Sequence, residues 1–167
     1  MEFYRRNLPH MQRDGTPHFV TFCTKLRRVL PEWARDIVVG CCIRDHDRRY
    51  RLRVTVIMPD HVHLILTPLI DETRGTIISL VEIMKALKGA SAHAINRRQE
   101  SHGAIWQEES FDRIVRSSES LDAKIAYILH YPVRKGLVQN WREYRWIWLP
   151  AEQHAFTPRA GAKISVL

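Results

Sequence analysis

The sequence lacks any apolar run near the roughly 18 residues that a membrane-spanning helix requires. Its first six residues also lack the apolar core of a secretory signal. Cysteine is scarce: the only thiols are Cys23, Cys41 and Cys42, and no C-x-x-C pair occurs. An odd count with two adjacent members argues against a disulfide framework and against a zinc ribbon. These absences predict a cytoplasmic protein without a membrane partner.

Acidic residues are few relative to basic ones. The 167 residues include 26 Lys and Arg against 18 Asp and Glu, a formal net charge of +8. Many arginines stand in clusters, and the planar guanidinium matches phosphate oxygens, so these residues are candidate nucleic-acid contacts. With Lys124, the candidates are Arg5, Arg6, Arg27, Arg28, Arg51, Arg53, Arg97 and Arg98. The charge alone is equally compatible with a basic surface that binds no nucleic acid.

The apolar pattern predicts a mixed α+β domain. Strands are predicted at residues 18–24, 50–58, from 61 onward, 104–106 and 111–116, and helices at 31–44, 76–96 and 120–130. Apolar and charged or polar residues alternate strictly in the second strand, with Leu52, Val54 and Val56 on one face. Hairpin-linked strands mixed with helices indicate a largely antiparallel sheet with packed helices, as in ferredoxin-like and RNA-recognition-like folds. We expect one domain over residues 1–149, including an N-terminal arm over 1–16, and a tail over 150–167.

The most informative motif lies in Met58–Leu66, where His61 and His63 interrupt an apolar run. Residues two apart on a strand share a face, so the two imidazoles point the same way while the intervening apolar side chains point into the core. We expect the histidine face to be open. Two imidazoles on a rigid strand form half of a divalent metal site. The spacing alone is also compatible with a surface strand that happens to carry two histidines.

Tyr127 lies off the apolar stripe of the last predicted helix. At about 100° per residue, that stripe is formed by Leu121, Ile125, Ile128 and Leu129. In isolation an exposed tyrosine packed on a neighbour explains this placement. Beside a metal held by two histidines, its phenolic oxygen could instead attack a phosphodiester and become joined to DNA. A tyrosine with a pKa of about 10 needs a nearby cation for this, and Lys124 lies one turn earlier.

Several ordered blocks resemble the HUH single-strand transposases that use one tyrosine, and within them the REP-associated tyrosine transposases. The blocks read RNLPH followed by HFVTF, then VIMPDHVHL, IWQ with FDRIVR, YILHYPVRKGLV and EYRW. Together they span about residues 5–148, nearly the whole chain. Such a series is far more specific than a lone H-x-H pair.

The resemblance implies the HUH endonuclease fold, a central antiparallel sheet that carries the two histidines and is faced by the tyrosine helix. By position, His61 and His63 would bind Mg²⁺ or Mn²⁺, and Tyr127 would be the nucleophile. The implied reaction cuts single-stranded DNA beside a hairpin, such as a repetitive extragenic palindrome, and leaves a 5′-phosphotyrosine link and a free 3′-hydroxyl. The resemblance favours a monomer, with a homodimer as the alternative, and leaves open whether the site is completed in cis or in trans.

One position departs from the family pattern. The family usually carries Asn or Gln as a third metal ligand four residues after the tyrosine, and here that residue is Tyr131. His130 could supply the missing donor if the last helical turn shifts, because Pro132 disfavours the α-region at Tyr131. Three imidazoles would favour Mn²⁺ or a later metal over Mg²⁺. Water or the DNA phosphate could equally complete the coordination shell.

Two other functions stay open. An RNA-recognition-like sheet could bind single strands without cutting them, and Phe19, Phe22 and Trp106 could then stack on bases, although we favour core positions for them. A metal-dependent hydrolase, in which water attacks, would leave the block formed by Tyr127, Pro132 and Val133 unexplained. A covalent protein–DNA adduct distinguishes the transposase chemistry from both.

Overall fold

The computed structural model describes residues 16–154, apart from the side chains of residues 118 and 119. A five-stranded antiparallel sheet forms its centre, with the strand order β6-β1-β3-β2-β7. The strands are β1 (His18–Cys23), β2 (Tyr50–Ile57), β3 (His61–Pro68), β6 (Phe111–Ile114) and β7 (Ile147–Trp148), and a separate hairpin pairs β4 (Ile70–Asp71) with β5 (Thr76–Ile77). The helices are α1 (Glu32–Arg44), α2 (Leu80–Arg98), α3 (Ser118–Leu129) and α4 (Tyr131–Arg134). The α+β prediction is confirmed.

The two faces of this sheet are covered by different helices. Directly paired residues of antiparallel strands share a face, so Phe22 lies beside Val62 and Thr21 beside His63 on the opposite side. Phe22 packs edge-on against Trp106, whose indole nitrogen donates to Ser91 of α2 at 2.9 Å. α1 lies on that same side. The His63 face is covered by α3 and α4.

A β-bulge at Arg53 changes the facing pattern of β2. The register shifts between Leu52 and Val54, so these two residues face opposite layers of the sheet. The strict alternation predicted for this strand is therefore wrong. Thr55, predicted on the polar face, is completely buried on the α1 side, where its hydroxyl contacts Cys42 Sγ at 3.8 Å.

The start of α2 also differs from the prediction. The helix begins at Leu80 rather than Thr76, because Thr76 and Ile77 pair with β4. Ser79 then caps the helix: its hydroxyl accepts from the Glu82 amide at 3.1 Å, and the Glu82 carboxylate accepts from the Ser79 amide at 3.3 Å. This reciprocal cap satisfies two backbone donors and fixes where the helix starts.

Three further differences concern the last third of the chain. The strand predicted at residues 104–106 is only a single bridge between Thr24 and Trp106. Pro132 does not end the helical path but lies in the first turn of α4, where its missing amide costs nothing. The short strand β7 extends the sheet beyond β2 and was not predicted.

The predicted arm, with Arg5 and Arg6, falls outside the described residues except for residue 16, and most of the predicted tail does so as well. At the start of that tail, Ala151–Gln153 form a short 3₁₀ helix. Within residues 16–154, no helix combines the length and the apolar character needed to cross a membrane.

Candidate active site

His61 and His63 lie side by side at the start of β3, and their ring nitrogens converge. The two Nε2 atoms are 3.1 Å apart, and the ring planes meet at 82°. The residues are only 5% and 6% exposed, because α3 and α4 cover this part of the sheet. The expectation that the histidine face is open is therefore wrong, whereas the shared direction of the two side chains is as predicted.

Each imidazole is held from behind through its Nδ1 atom. Asp60 Oδ1 lies 2.6 Å from Nδ1 of His61, and Thr21 Oγ1 lies 2.8 Å from Nδ1 of His63. Asp60 is itself paired with the guanidinium of Arg27 at 3.0 Å. These partners orient both rings so that the two Nε2 atoms are the ones directed at a shared point. The sequence analysis missed them, although Asp60 stands directly before His61.

The imidazole pair fits a divalent ion. Two metal–ligand bonds of about 2.1 Å at a right angle place their donor atoms about 3.0 Å apart, close to the 3.1 Å between the Nε2 atoms. Ion binding requires both Nε2 atoms to be unprotonated, which Nδ1–H donation from His61 to Asp60 and from His63 to Thr21 would allow. Across the described part of the chain, no group of three or more His, Cys, Asp or Glu side chains is arranged to hold a metal. A third donor is therefore either of another kind or has to move into place.

Burial keeps both imidazoles in the neutral form that binds metals. Loss of solvent lowers the pKa of His61, and the hydrogen bond to Asp60 opposes this only in part. Burial, reinforced by the charges of His61 and of nearby cations, lowers the pKa of His63 to about 3. The site is therefore electropositive through its arginine and lysine residues rather than through its histidines.

Tyr131 packs against the imidazole pair, and Tyr127 lies on the far side of Tyr131. The ring centre of Tyr131 lies 4.4 Å from that of His63 and 5.3 Å from that of His61. The Tyr127 ring follows at 6.1 Å from Tyr131. His130 caps both α3 and α4, so the two tyrosines belong to different helices.

Cations surround the two tyrosine rings. The Arg134 guanidinium lies 4.2 Å from the Tyr127 ring centre and also donates to the Tyr127 carbonyl at 2.8 Å. Lys135 lies 5.3 Å from the Tyr131 ring, and Lys124 lies 5.8 Å from that of Tyr127. Lys124 is thus where the sequence places it. The other two were missed because the predicted helix ended before them.

His130 is not brought together with the histidine pair. It is partly exposed, and burial together with the charges of Arg134 and Arg142 lowers its pKa. Tyr131, not His130, lies against the two imidazoles. A role for His130 as third ligand therefore requires movement of the turn between α3 and α4.

The predicted DNA-binding arginines fall in three places. Arg27 and Arg28 follow β1, and Arg27 lies next to the imidazole pair through its ion pair with Asp60. Arg51 and Arg53 line a separate cleft at the other end of β2. Arg97 and Arg98 end α2, on the layer that covers the opposite face of the sheet.

The aromatic residues considered as base-stacking candidates are core residues. Phe19, Phe22 and Trp106 are 9%, 1% and 6% exposed, respectively. Their assignment to the core is confirmed, and the open aromatic sheet that a single-strand binding module would need is not formed by them.

Comparisons with known proteins identify similar sequences and folds. The model of the family described as "Transposase IS200 like" matches residues 12–131, most of the chain. No curated protein matches. The structure of a REP-associated tyrosine transposase bound to a REP hairpin is similar, with a TM-score of 0.68, 22% sequence identity, and coverage of 88% of this chain and 82% of that one. A candidate transposase from Deinococcus radiodurans R1 has a TM-score of 0.46, 21% identity, and coverage of 82% and 98%.

Proposed function

Because this chain belongs to the IS200-like transposase family, we propose that it cuts and rejoins single-stranded DNA beside hairpins of the REP type, through a covalent link to Tyr127. The observation that carries the proposal is the convergence of a buried imidazole pair and a cation-flanked tyrosine at one end of β3. The fold shared with a transposase bound to a REP hairpin supports hairpin DNA as the substrate.

The substrate phosphate is bound by residues of three elements. Arg27 from the turn after β1, Lys124 from α3 and Arg134 from α4 supply positive charge around the pair of histidines. A divalent ion held between the two Nε2 atoms would polarise the scissile phosphate and stabilise the leaving oxygen. Asp60 and Thr21 keep the two imidazoles in the orientation that this requires.

Tyr127 carries out the bond-forming step. Its phenolic oxygen loses its proton and attacks the phosphorus, while the bond from phosphorus to the 3′-oxygen breaks. The 3′-oxygen takes up a proton and leaves as a free hydroxyl, and the 5′-phosphate stays on Tyr127. Cations beside the ring reduce the repulsion between the attacking oxygen and the anionic phosphate. Attack by another 3′-hydroxyl reverses the step and rejoins the strand.

The third donor to the ion is the open part of this mechanism. Tyr131 lies where the family usually has an amide ligand, and its ring covers both imidazoles. We propose that the DNA phosphate or water completes the shell once Tyr131 moves aside. His130 is the alternative donor, and a site with three imidazoles would bind Mn²⁺ in preference to Mg²⁺.

The test is an adduct assay with a matched pair of variants. Hairpin oligonucleotides with a single-stranded 5′ flank are incubated with the protein and Mn²⁺ or Mg²⁺, then separated on a denaturing gel. We expect a covalent adduct from the wild type and from Tyr131→Phe, and none from Tyr127→Phe, which still folds and binds the hairpin. An adduct that forms with Tyr127→Phe but not with Tyr131→Phe would identify Tyr131 as the nucleophile instead.

A second candidate is a hairpin-binding protein that no longer cuts. The placement of the Tyr131 ring favours it, because that ring packs against both imidazoles at the position where the family usually has a ligand. Tight hairpin binding with no adduct in either metal, and none after Tyr131→Asn, would select this candidate.

A further inference from the structure

A second basic cleft lies at the far end of β3, the strand that carries the imidazole pair. It has a volume of about 790 Å³ and is enclosed by the start of β2, the end of β3 and the β4–β5 hairpin. Its arginines are Arg48, Arg49, Arg51, Arg53 and Arg74. Only two of them, Arg51 and Arg53, were singled out from the sequence as DNA contacts.

One wall of the cleft shares a sheet face with the imidazole pair. Thr67 follows His63 by four residues on β3, so both side chains leave the same side of the strand. Arg51 is paired with Thr67 across β2 and β3 and therefore faces the same way. At about 3.4 Å per residue, Thr67 lies about 14 Å along the strand from His63.

The arginines of the cleft differ in whether a carboxylate neutralises them. Arg51 is paired with Asp47 at 3.2 Å, and Arg74 with Asp71 at 2.7 Å. Arg53 is partly buried at the β-bulge and, within residues 16–154, has no carboxylate partner. Its Nε atom is buried without a hydrogen bond, and so is Thr67 Oγ1. Desolvated cations are unfavourable without an anion, so the inner wall of the cleft is suited to a negatively charged ligand.

Positive charge also exceeds negative charge around the cleft as a whole. Five arginines line it, against the three carboxylates of Asp47, Asp71 and Glu72. Arg48 and Arg49 at its rim form no ion pair within the described part of the chain. An anion with several phosphates fits this arrangement better than a single small one, because the unpaired guanidinium groups are spread from the wall to the rim.

We propose that this cleft binds the phosphodiester backbone of the DNA substrate at a second point, with Arg53 on the inner wall and Arg48 and Arg49 at the rim. That the ligand is the DNA substrate rests on the proposed function. One strand of B-form DNA carries a phosphate per about 3.4 Å of axis, so a bound backbone has several phosphates within reach of both the cleft and the imidazole pair. Two fixed contact points set which phosphate reaches Tyr127.

The experiment measures fluorescence anisotropy with three labelled probes: a hairpin with a single-stranded flank, the blunt hairpin and the flank alone. Arg53→Gln and Arg49→Gln are compared with Lys85→Gln, which removes the same charge from an exposed position of α2 on the opposite layer. We expect each cleft variant to lose about ten-fold in affinity for the flanked hairpin and to lower its salt slope by about 0.9, while Lys85→Gln changes neither. Circular dichroism checks folding, and Arg49→Gln, on a turn, preserves the test if Arg53→Gln unfolds.

Single neutral methylphosphonate linkages then locate the contact. One linkage should weaken wild-type binding about ten-fold but leave Arg53→Gln unaffected, and its position assigns the cleft to the stem or to the flank. Equal small losses in all three variants would overturn the proposal in favour of a generic basic surface. Loss of adduct in Arg53→Gln at saturating DNA would overturn it too. Failure of the wild type to form an adduct would refute the proposed function alone, because the anisotropy comparison does not depend on cleavage.

Discussion

The two faces of the central sheet are buried alike but composed differently. On β3, Leu64 and Leu66 are completely buried beneath the α1 and α2 layer, while His61 and His63, which alternate with them, are 5% and 6% exposed beneath α3 and α4. Burial therefore does not separate core from site in this protein. Hydrogen bonding does: each imidazole is held at Nδ1, while among residues 16–154 the two Nε2 atoms meet only each other.

Alanine substitutions at neighbouring positions of β3 should give the largest difference between the two faces. The double variant His61→Ala, His63→Ala should lose adduct formation by more than about 1,000-fold, because it removes the proposed ion-binding pair. Leu64→Ala should lower the free energy of unfolding by about 2–5 kcal/mol and retain adduct formation in its folded fraction. Urea unfolding and the adduct gel measure the two effects. Cutting by the double variant in the presence of chelator would rule out the metal-dependent mechanism.

The partners behind the imidazoles provide a finer test. Asp60→Asn and Thr21→Val should each raise the Mn²⁺ concentration needed for half-maximal adduct formation by about 10- to 100-fold, since each variant releases one imidazole. Activity at saturating Mn²⁺ should approach that of the wild type. Asp36→Asn is the control, because Asp36 pairs with Arg145 and Trp146 away from the site. An equal effect in the control would point to lost stability rather than lost ligand orientation.

Tyr131 and His130 test what completes the site. Tyr131→Asn should lower the Mn²⁺ requirement several-fold, because it removes the ring over both imidazoles and supplies an amide oxygen, and His130→Ala should change it little. A metal titration of adduct formation distinguishes the two variants. Should His130→Ala instead weaken metal dependence sharply, the three-imidazole site predicted from the sequence would be correct.

The smallest expected effect is on stability in acid without metal. The pKa of His63 falls from 6.5 to about 3 on folding, so below pH 6.5 the unfolded chain takes up a proton that the folded chain does not. The free energy of unfolding should therefore be unaffected by His63 above pH 6.5 and should decline as the pH falls toward 3. In chelator, His63→Gln should show a shallower fall in Tm between pH 7 and pH 5 than the wild type. Identical slopes would contradict the burial penalty at His63.

What could be predicted from the sequence depended on local spacing. The shared face of His61 and His63 and the position of Tyr127 off the apolar stripe follow from the strand and helix periods, and the structure has both features. Features that depend on distant segments could not be obtained this way. Thr21 reaches His63 from 42 residues away, and Arg27 reaches Asp60 across the sheet edge.

Two local misreadings have a physical cause as well. The bulge at Arg53 inserts one residue into β2, and the residue type at this position does not predict a bulge. Pro132 was read as the end of a helix, whereas proline also suits the first turn of one. That second error hid Arg134 and Lys135, the cations nearest to the two tyrosines.

The strand order of the sheet has a consequence for the order in which the candidate site forms during synthesis. β2 and β3 are joined by the three residues 58–60, so their hairpin, with both histidines, can form within microseconds of leaving the ribosome. β1 gains its outer partner only when His18 pairs with Ile114, more than 90 residues later, and both tyrosines follow that point. The nascent chain therefore forms the imidazole pair of the candidate site well before Tyr127, the proposed nucleophile, has been synthesised.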